Sequence, residues 1–178
     1  TEIYTLSLHD ALPIFSAQPI NLYGPGDRFD LENSHVVPAL MLKAHAAKTE
    51  GRASMDVWGS GNPMREFLYV DDVADALVFL MRNYSGAIQM NVGLGADLSL
   101  RELAETIIKV VGFEGELVFD TSKPDGTPRK FLDTTRLNDF GWAASTSLDQ
   151  GLKQTYAWFL ENVRSEEHTS ELQSHLNL

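Results

Sequence analysis

From residue 19 onward, short apolar runs alternate with turn-forming clusters, and between them lie longer stretches whose apolar residues recur every three or four positions. Pro19, Ile20, Asn21, Leu22 and Tyr23 make the first run, and Gly24-Pro25-Gly26-Asp27 follows. This predicts a strand that delivers its carboxyl end into a tight loop, a place that favours ligands. Beyond the polar residues 28–33, Val36, Val37, Leu40, Met41, Ala44 and Ala47 fall at helical spacing. A helix is expected to about Lys48, with Asn33 or Ser34 as N-cap and Pro38 in its first turns. Met55 to Trp58 reads as a strand before the Gly59 to Pro63 turn, and Glu66 to Val70 as another before a helix opened by Asp71 and Asp72. That helix carries Val73, Ala76, Leu77, Leu80 and Met81.

Gln89 to Val92 predicts a further strand, closed by Gly93-Leu94-Gly95. Ser99-Leu100-Arg101-Glu102 has the form of a capping box, in which the serine oxygen and the glutamate carboxylate each satisfy a backbone N–H at a helix start. Leu103, Ile107 and Val111 supply the core face of the helix it opens. Gly115 to Asp120 is the last expected strand. Residues 123–130 read as a loop rich in proline and cations, and Ser147 to Gln150 repeats the capping pattern before a final helix ending near Val163. Strands and helices alternate throughout, which favours α/β architecture, with no internal repeat or low-complexity tract.

The 178 residues are 43% apolar, enough for a folded core in one domain. The net charge of −11 argues against a nucleic-acid-coating surface and makes a small molecule the default partner. With no Cys, thiolate nucleophiles, disulfides and zinc-thiolate sites are excluded. No apolar run approaches the roughly 20 residues of a membrane helix, and no secretory pattern opens the chain, so a cytoplasmic protein is expected.

The two ends read differently from the rest. Residues 1–14 read as the uninterrupted translation of a common sequencing adapter, residues 164–174 as that of its partner, and residues 175–178 as the continuation of that partner. Both are expected to be non-native, to pack poorly and to be dispensable, leaving residues 15–163 as a fragment of a longer gene.

Within that segment the G-x-G-x-x-G dinucleotide turn is absent, because Leu98 stands where Gly93-x-Gly95 would need its third glycine. No Tyr-x-x-x-Lys pair occurs, since Val73, Ile88 and Leu160 lie four residues after Tyr69, Tyr84 and Tyr156. Only His35 and His45 are available as imidazole ligands, so no metal site is expected.

Read together, four loops are far more specific. They are residues 21–27 (NLYGPGD), 33–40 (NSHVVPAL), 57–72 (VWGSGNPMREFLYVDD) and 122–130 (SKPDGTPRK). In order and spacing they resemble the GDP-L-fucose synthase family of the extended short-chain dehydrogenase/reductases. The resemblance covers essentially all of residues 15–163 and corresponds to that family's C-terminal half. It implies an α/β fold made of late Rossmann elements plus a substrate-binding domain. It also implies a parent enzyme that epimerises GDP-4-keto-6-deoxy-D-mannose at C3 and C5 and reduces C4 with NADPH, giving GDP-L-fucose, as a cytoplasmic homodimer. The glycine-rich turn, the catalytic Ser, the Tyr-x-x-x-Lys pair and the epimerisation Cys of that family are missing, so the isolated chain is expected to be inactive.

Residue by residue, the resemblance makes His35 the general acid of epimerisation, also beside the cofactor. An imidazole with a pKa of about 6.5 suits that task, although helix capping is its ordinary alternative. Pro19, Ile20, Asn21 and Leu22 match main chain on the nicotinamide side of NADP(H). Lys43, Arg65 and Lys130 match cations around the diphosphate, with Lys43 standing where an arginine fork is more usual. Trp58 matches a substrate contact and Asp125 a contact at the nucleotide end; their ordinary alternatives are core packing and Asp-Gly turn formation. Another extended-family sugar-nucleotide epimerase or dehydratase, and a non-catalytic nucleotide-sugar-binding fragment, are the alternatives.

Overall fold

The computed structural model describes residues 15–30 and 33–176, with side chains as far as residue 162. In chain order the elements are β1 (Ala17–Pro19), β2 (Asn21–Tyr23), α1 (Val36–Thr49), β3 (Ser54–Trp58), β4 (Met64–Arg65), β5 (Phe67–Tyr69), α2 (Val70–Asn83), β6 (Met90–Val92), β7 (Leu98–Ser99), α3 (Leu100–Val111), β8 (Glu116–Asp120), β9 (Arg129–Lys130), α4 (Thr135–Asp139) and α5 (Leu148–Leu176). The expected α/β alternation is present, and most strand pairing is parallel.

The first apolar run is two strands rather than one. β1 pairs with β6, and β2 pairs with β5. Pro19 has no N–H for a ladder, and Ile20 N–H donates to Val92 O (3.1 Å) just before the chain changes partner. β3 and β8 pair over five residues, Trp58 opposite Asp120. β4 is paired on both sides: antiparallel to β7, and parallel to β9 with Arg65 opposite Lys130.

Helices cover these strands and divide the core in two. Val37, Leu40, Met41, Ala44 and Ala47 of α1 are buried, and the two alanines let α1 lie close against Leu103, Ala104 and Ile107 of α3. Leu152 of α5 joins the same cluster. A second cluster gathers Val73, Ala76 and Leu80 of α2 with Met90, Val92, Leu137 and Trp142. Each fully buried leucine or isoleucine contributes about 2 kcal/mol through area removed from water.

Both capping motifs form. Ser99 Oγ accepts from Glu102 N–H (3.1 Å) while Glu102 Oε2 accepts from Ser99 N–H (2.7 Å), and Ser147 and Gln150 repeat the exchange. Gly112 ends α3 in the left-handed conformation (φ 74°).

Other boundaries differ from expectation. The N-cap of α1 is His35, without a side-chain cap bond, because the Ser34 hydroxyl instead donates to Asp30 O. Helix α2 starts at Val70 with Tyr69 as its cap. Asp72 turns inward, where it accepts from Ser145 N–H and Oγ and from Thr146 N–H. Leu77 and Met81 of α2 are exposed at 36% and 68%, since the buried stripe follows Val73, Ala76 and Leu80. The expected 123–130 loop ends in β9, and the short β7 and α4 were not anticipated by any periodicity. The final helix does not stop near Val163: its backbone continues to Leu176, with no Gly or Pro after residue 151 to end it. Residues 1–14 lie outside the described residues, as do the side chains of residues 164–178, so the expectation of poor packing at both ends falls there.

Between β4 and β5, Glu66 is wholly buried. Its Oε1 accepts from Gly95 N–H (2.7 Å) and its Oε2 from Leu132 N–H (3.2 Å), and its main-chain O accepts from Asn21 Nδ2 (2.8 Å). Glu66→Ala would leave the Gly95 and Leu132 amides without their acceptor and open a cavity at a wholly buried side chain. A loss of about 4 kcal/mol is expected in urea unfolding of the full chain, with roughly half of that for Glu66→Gln. A loss below about 1 kcal/mol for the alanine variant would show that the brace is dispensable.

Candidate functional site

A cleft of about 560 Å³ opens where β1 and β2 pass into the Gly24–Gly26 turn. Pro19, Ile20, Asn21 and Leu22 all line it, as do His35, Val36 and Val37 from the start of α1. The turn is closed by Asp27 N–H donating to Gly24 O (3.3 Å), and a Cβ at Gly24 would collide with Val70, so glycine is required there for close approach. Asn21 spends its amide on Glu66 O and therefore presents mainly backbone to the cleft. His35 is exposed on the cleft wall. Its carbonyl accepts from Ala39 N–H (3.0 Å), whereas its ring makes no hydrogen bond among the described residues. The imidazole is thus carried by a helix start but not used to cap it.

Two turns along α1, about 12 Å from His35 by helical rise, Lys43 reaches the end of β3. Its Nζ donates to Asp56 O (3.4 Å) and lies 4.8 Å from the centre of the Trp58 ring. Burial pulls the Lys43 ammonium below its ordinary pKa, and the nearby Asp56 carboxylate opposes that shift. Trp58 is no core residue: it is 61% exposed, on the outward face of β3. Lys123 Nζ approaches the same ring at 5.6 Å.

The 121–128 loop links this platform to a second group of cations. Asp125 accepts from Ser60 N–H (2.6 Å) and Ser60 Oγ (2.8 Å), and these two bonds, the backbone one first, hold its carboxyl below the usual range. Arg65, half-buried, donates from Nη1 to Met64 O (2.8 Å), and a Cβ at Gly126 would lie 3.9 Å from its Nη2. Its register partner is Lys130. Arg129, opposite Met64 in the same two-residue strand, is instead bound to Asp97 at 2.6 Å.

The structure therefore brings Lys43 onto Trp58, sets Arg65 beside Lys130, and joins the two groups through Asp125 rather than by direct contact of all three cations. Sequence reasoning passed over three participants. Lys123 lay inside a quoted motif but had no partner until Trp58 proved exposed. Arg101 stacks on Phe119 at 3.8 Å and donates to Ser60 O (3.3 Å), steadying the Gly59 to Gly61 turn. Glu66 looked like one letter of a strand.

Parallel strands delivering loops, helix starts and cations to one end define the ligand-binding side of an α/β nucleotide-handling fold. The sequence profile of the NAD dependent epimerase/dehydratase family matches residues 3–93, and the chain belongs to that family. It is 55% identical over 148 residues to GDP-L-fucose synthase 1 of Arabidopsis thaliana, covering 83% of this chain and 46% of that one. To the GDP-L-fucose synthase of Escherichia coli (strain K12) it is 53% identical over 156 residues, covering 83% and 49%. Among solved structures, a GDP-L-fucose synthetase from Naegleria fowleri bound to NADP superposes with a TM-score of 0.80 at 37% identity, covering 84% and 47%. The chain spans about half the length of the curated relatives it matches.

Gly59 tests how the platform is built. It has φ +86°, and a Cβ there would collide with Asp125 Oδ1. Gly59→Ala is expected to cost about 1–3 kcal/mol in a thermal melt and to speed hydrogen exchange at the Ser60 amide. Unchanged Ser60 exchange would mean that Asp125 does not hold this turn.

Proposed function

We propose that residues 15–163 are the C-terminal, substrate-binding part of a GDP-L-fucose synthase. The whole protein would convert GDP-4-keto-6-deoxy-D-mannose to GDP-L-fucose by 3,5-epimerisation and NADPH-dependent 4-reduction. The observation that carries this reading is the layout of α1: His35 stands at the cleft lined by residues 19–22, and Lys43, two turns on, stands at the exposed Trp58. That span suits a ligand with a reacting hexose at one end and a diphosphate toward the other. The similarity to three GDP-L-fucose synthases and synthetases supports the choice of nucleotide sugar.

The cleft residues fit the nicotinamide end of the cofactor, because residues 19–22 offer main chain and apolar wall at close approach beside the glycine turn. When bound, NADPH supplies the hydride that reduces the C4 ketone. His35, its ring free of capping duty, holds the proton that an epimerised carbon receives. Lys43, Arg65 and Lys130 offset the diphosphate charge, Trp58 gives a flat face for base or sugar, and Asp125 orders the loop at the nucleotide end. The parent is read as a cytoplasmic homodimer that takes no nucleic acid. Among the described residues no helix is long and apolar enough to cross a membrane.

Residues 1–14 and 164–178 are read as non-native flanks on the likeness of residues 1–14 and 164–174 to adapter translations, a reading against which stands the family profile's start at residue 3. Trimming them should leave a cooperative melt intact, and its loss on deleting either flank would overturn this part of the reading.

The activity is tested by joining residues 15–163 to the N-terminal half of the Arabidopsis relative. The isolated chain should oxidise no NADPH with the keto-sugar, and the joined protein should. In the joined protein Lys43→Ala is expected to raise KM about tenfold. His35→Gln should lower kcat for epimerisation about 100-fold with GDP affinity nearly intact. If both variants lose GDP affinity equally and proton exchange at C3 and C5 survives, His35 is structural and its role as acid fails.

A further inference from the structure

We infer that Lys123 is a further binding residue of this site, a mobile cation that closes on the diphosphate of a bound nucleoside diphosphate and helps to distinguish it from a monophosphate. The inference rests on the nucleotide-sugar reading above. The geometry behind it is the pair of ammonium groups at one exposed ring: Lys43 Nζ at 4.8 Å and Lys123 Nζ at 5.6 Å from the Trp58 centroid.

The two lysines are held very differently. Lys43 comes from a rigid helix, is partly desolvated and donates to Asp56 O. Lys123 comes from an exposed loop; its ammonium lies by the Trp58 ring and is attracted by the Asp120 carboxylate across space, and it forms no salt bridge among the described residues. A cation over an exposed aromatic face is held only weakly, so moving it to an anionic oxygen costs little. Its loop is nonetheless positioned. Lys123 N–H donates to Asp120 O (3.2 Å), and Asp125, two residues on, is tied to Ser60. Asp120, whose charge Lys123 feels across space, accepts hydrogen bonds from Ser122 N–H and Oγ. The ammonium thus has a fixed base, a long flexible arm and no salt-bridge partner among the described residues, which is the arrangement a ligand anion can recruit. Lys43 supplies a fixed charge on the platform and Lys123 a second one that a longer anion can reach.

The test titrates the full chain calorimetrically with GDP, GMP and guanosine at low and moderate salt, comparing the unaltered protein with Lys123→Gln and Lys123→Arg. Lys123→Gln is expected to weaken GDP binding about fivefold to tenfold, to leave guanosine unchanged and GMP within about twofold, and to flatten the salt dependence for GDP. Lys123→Arg should restore most of the loss. Matching thermal melts of the three proteins would confirm that the exposed side chain does not act through folding. If the unaltered chain binds GDP and Lys123→Gln binds it equally well with the same salt dependence, Lys123 is a solvated surface cation and the inference fails alone. If the unaltered chain binds no GDP at all, the nucleotide-sugar reading of this chain fails and this inference fails with it.

Discussion

The site depends on one buried carboxyl group. Removing a carboxylate from water is costly unless hydrogen-bond donors meet it, and Glu66 is met by the amides of Gly95 and Leu132, residues far from it in sequence. Those two bonds decide where three chain segments lie. Arg65 is the residue before Glu66, and Lys130 lies two residues before Leu132, so the brace that satisfies the carboxylate also puts β4 and β9 in register with Arg65 opposite Lys130. Gly93 is a glycine for the same reason, since a Cβ there would strike Glu66 Oε1. A cation pair that looks like a surface feature is set by a hydrogen-bonded carboxyl group beneath it.

Two further carboxylates work in the same way at lesser depth. Asp72 does not cap its helix; it receives three donors from Ser145 and Thr146 and so positions the start of α5 against α2. Asp125 receives two donors from Ser60 and ties the loop after β8 to the turn after β3. In each case one acidic side chain replaces the backbone pairing that an irregular loop lacks, which lets loops carry a defined shape at the ends of short strands. Exposed ion pairs such as Arg52 with Glu50 are screened by water and contribute little by comparison.

What could be read from the sequence is what is local. The two capping motifs were legible because their partners are three residues apart, and the buried stripe of α1 because helical period exposes it directly. The family resemblance was legible because loop motifs keep their order and spacing. The rest required pairing across distance. The split of residues 17–23 into two strands follows from two different neighbours, β6 and β5. The strands β7 and β9 are two residues each, too short for any period, and exist because β4 lies between them. The N-cap of α1 moved to His35 because Asp30 engaged the residues expected to cap it. Exposure of Leu77, Met81 and Trp58 reflects what packs on each face, which apolarity alone does not reveal.

Net charge misleads for a related reason. A chain at −11 is a poor host for an anion if its charges are spread evenly, yet three acids on the loops around the candidate site are already engaged. Asp97 is paired with Arg129, Asp120 with Ser122, and Asp125 with Ser60, and these partners hold all three carboxyl groups below their usual range. None of the four cations Lys43, Arg65, Lys123 and Lys130 forms a salt bridge among the described residues. Hydroxyl and amide donors satisfy Asp120 and Asp125 without consuming cations, and only Asp97 takes one, Arg129. The local balance at the strand ends is therefore set by which groups the loops leave unpaired. An acidic protein can present positive charge to a diphosphate because its loop carboxylates are occupied in holding the loops.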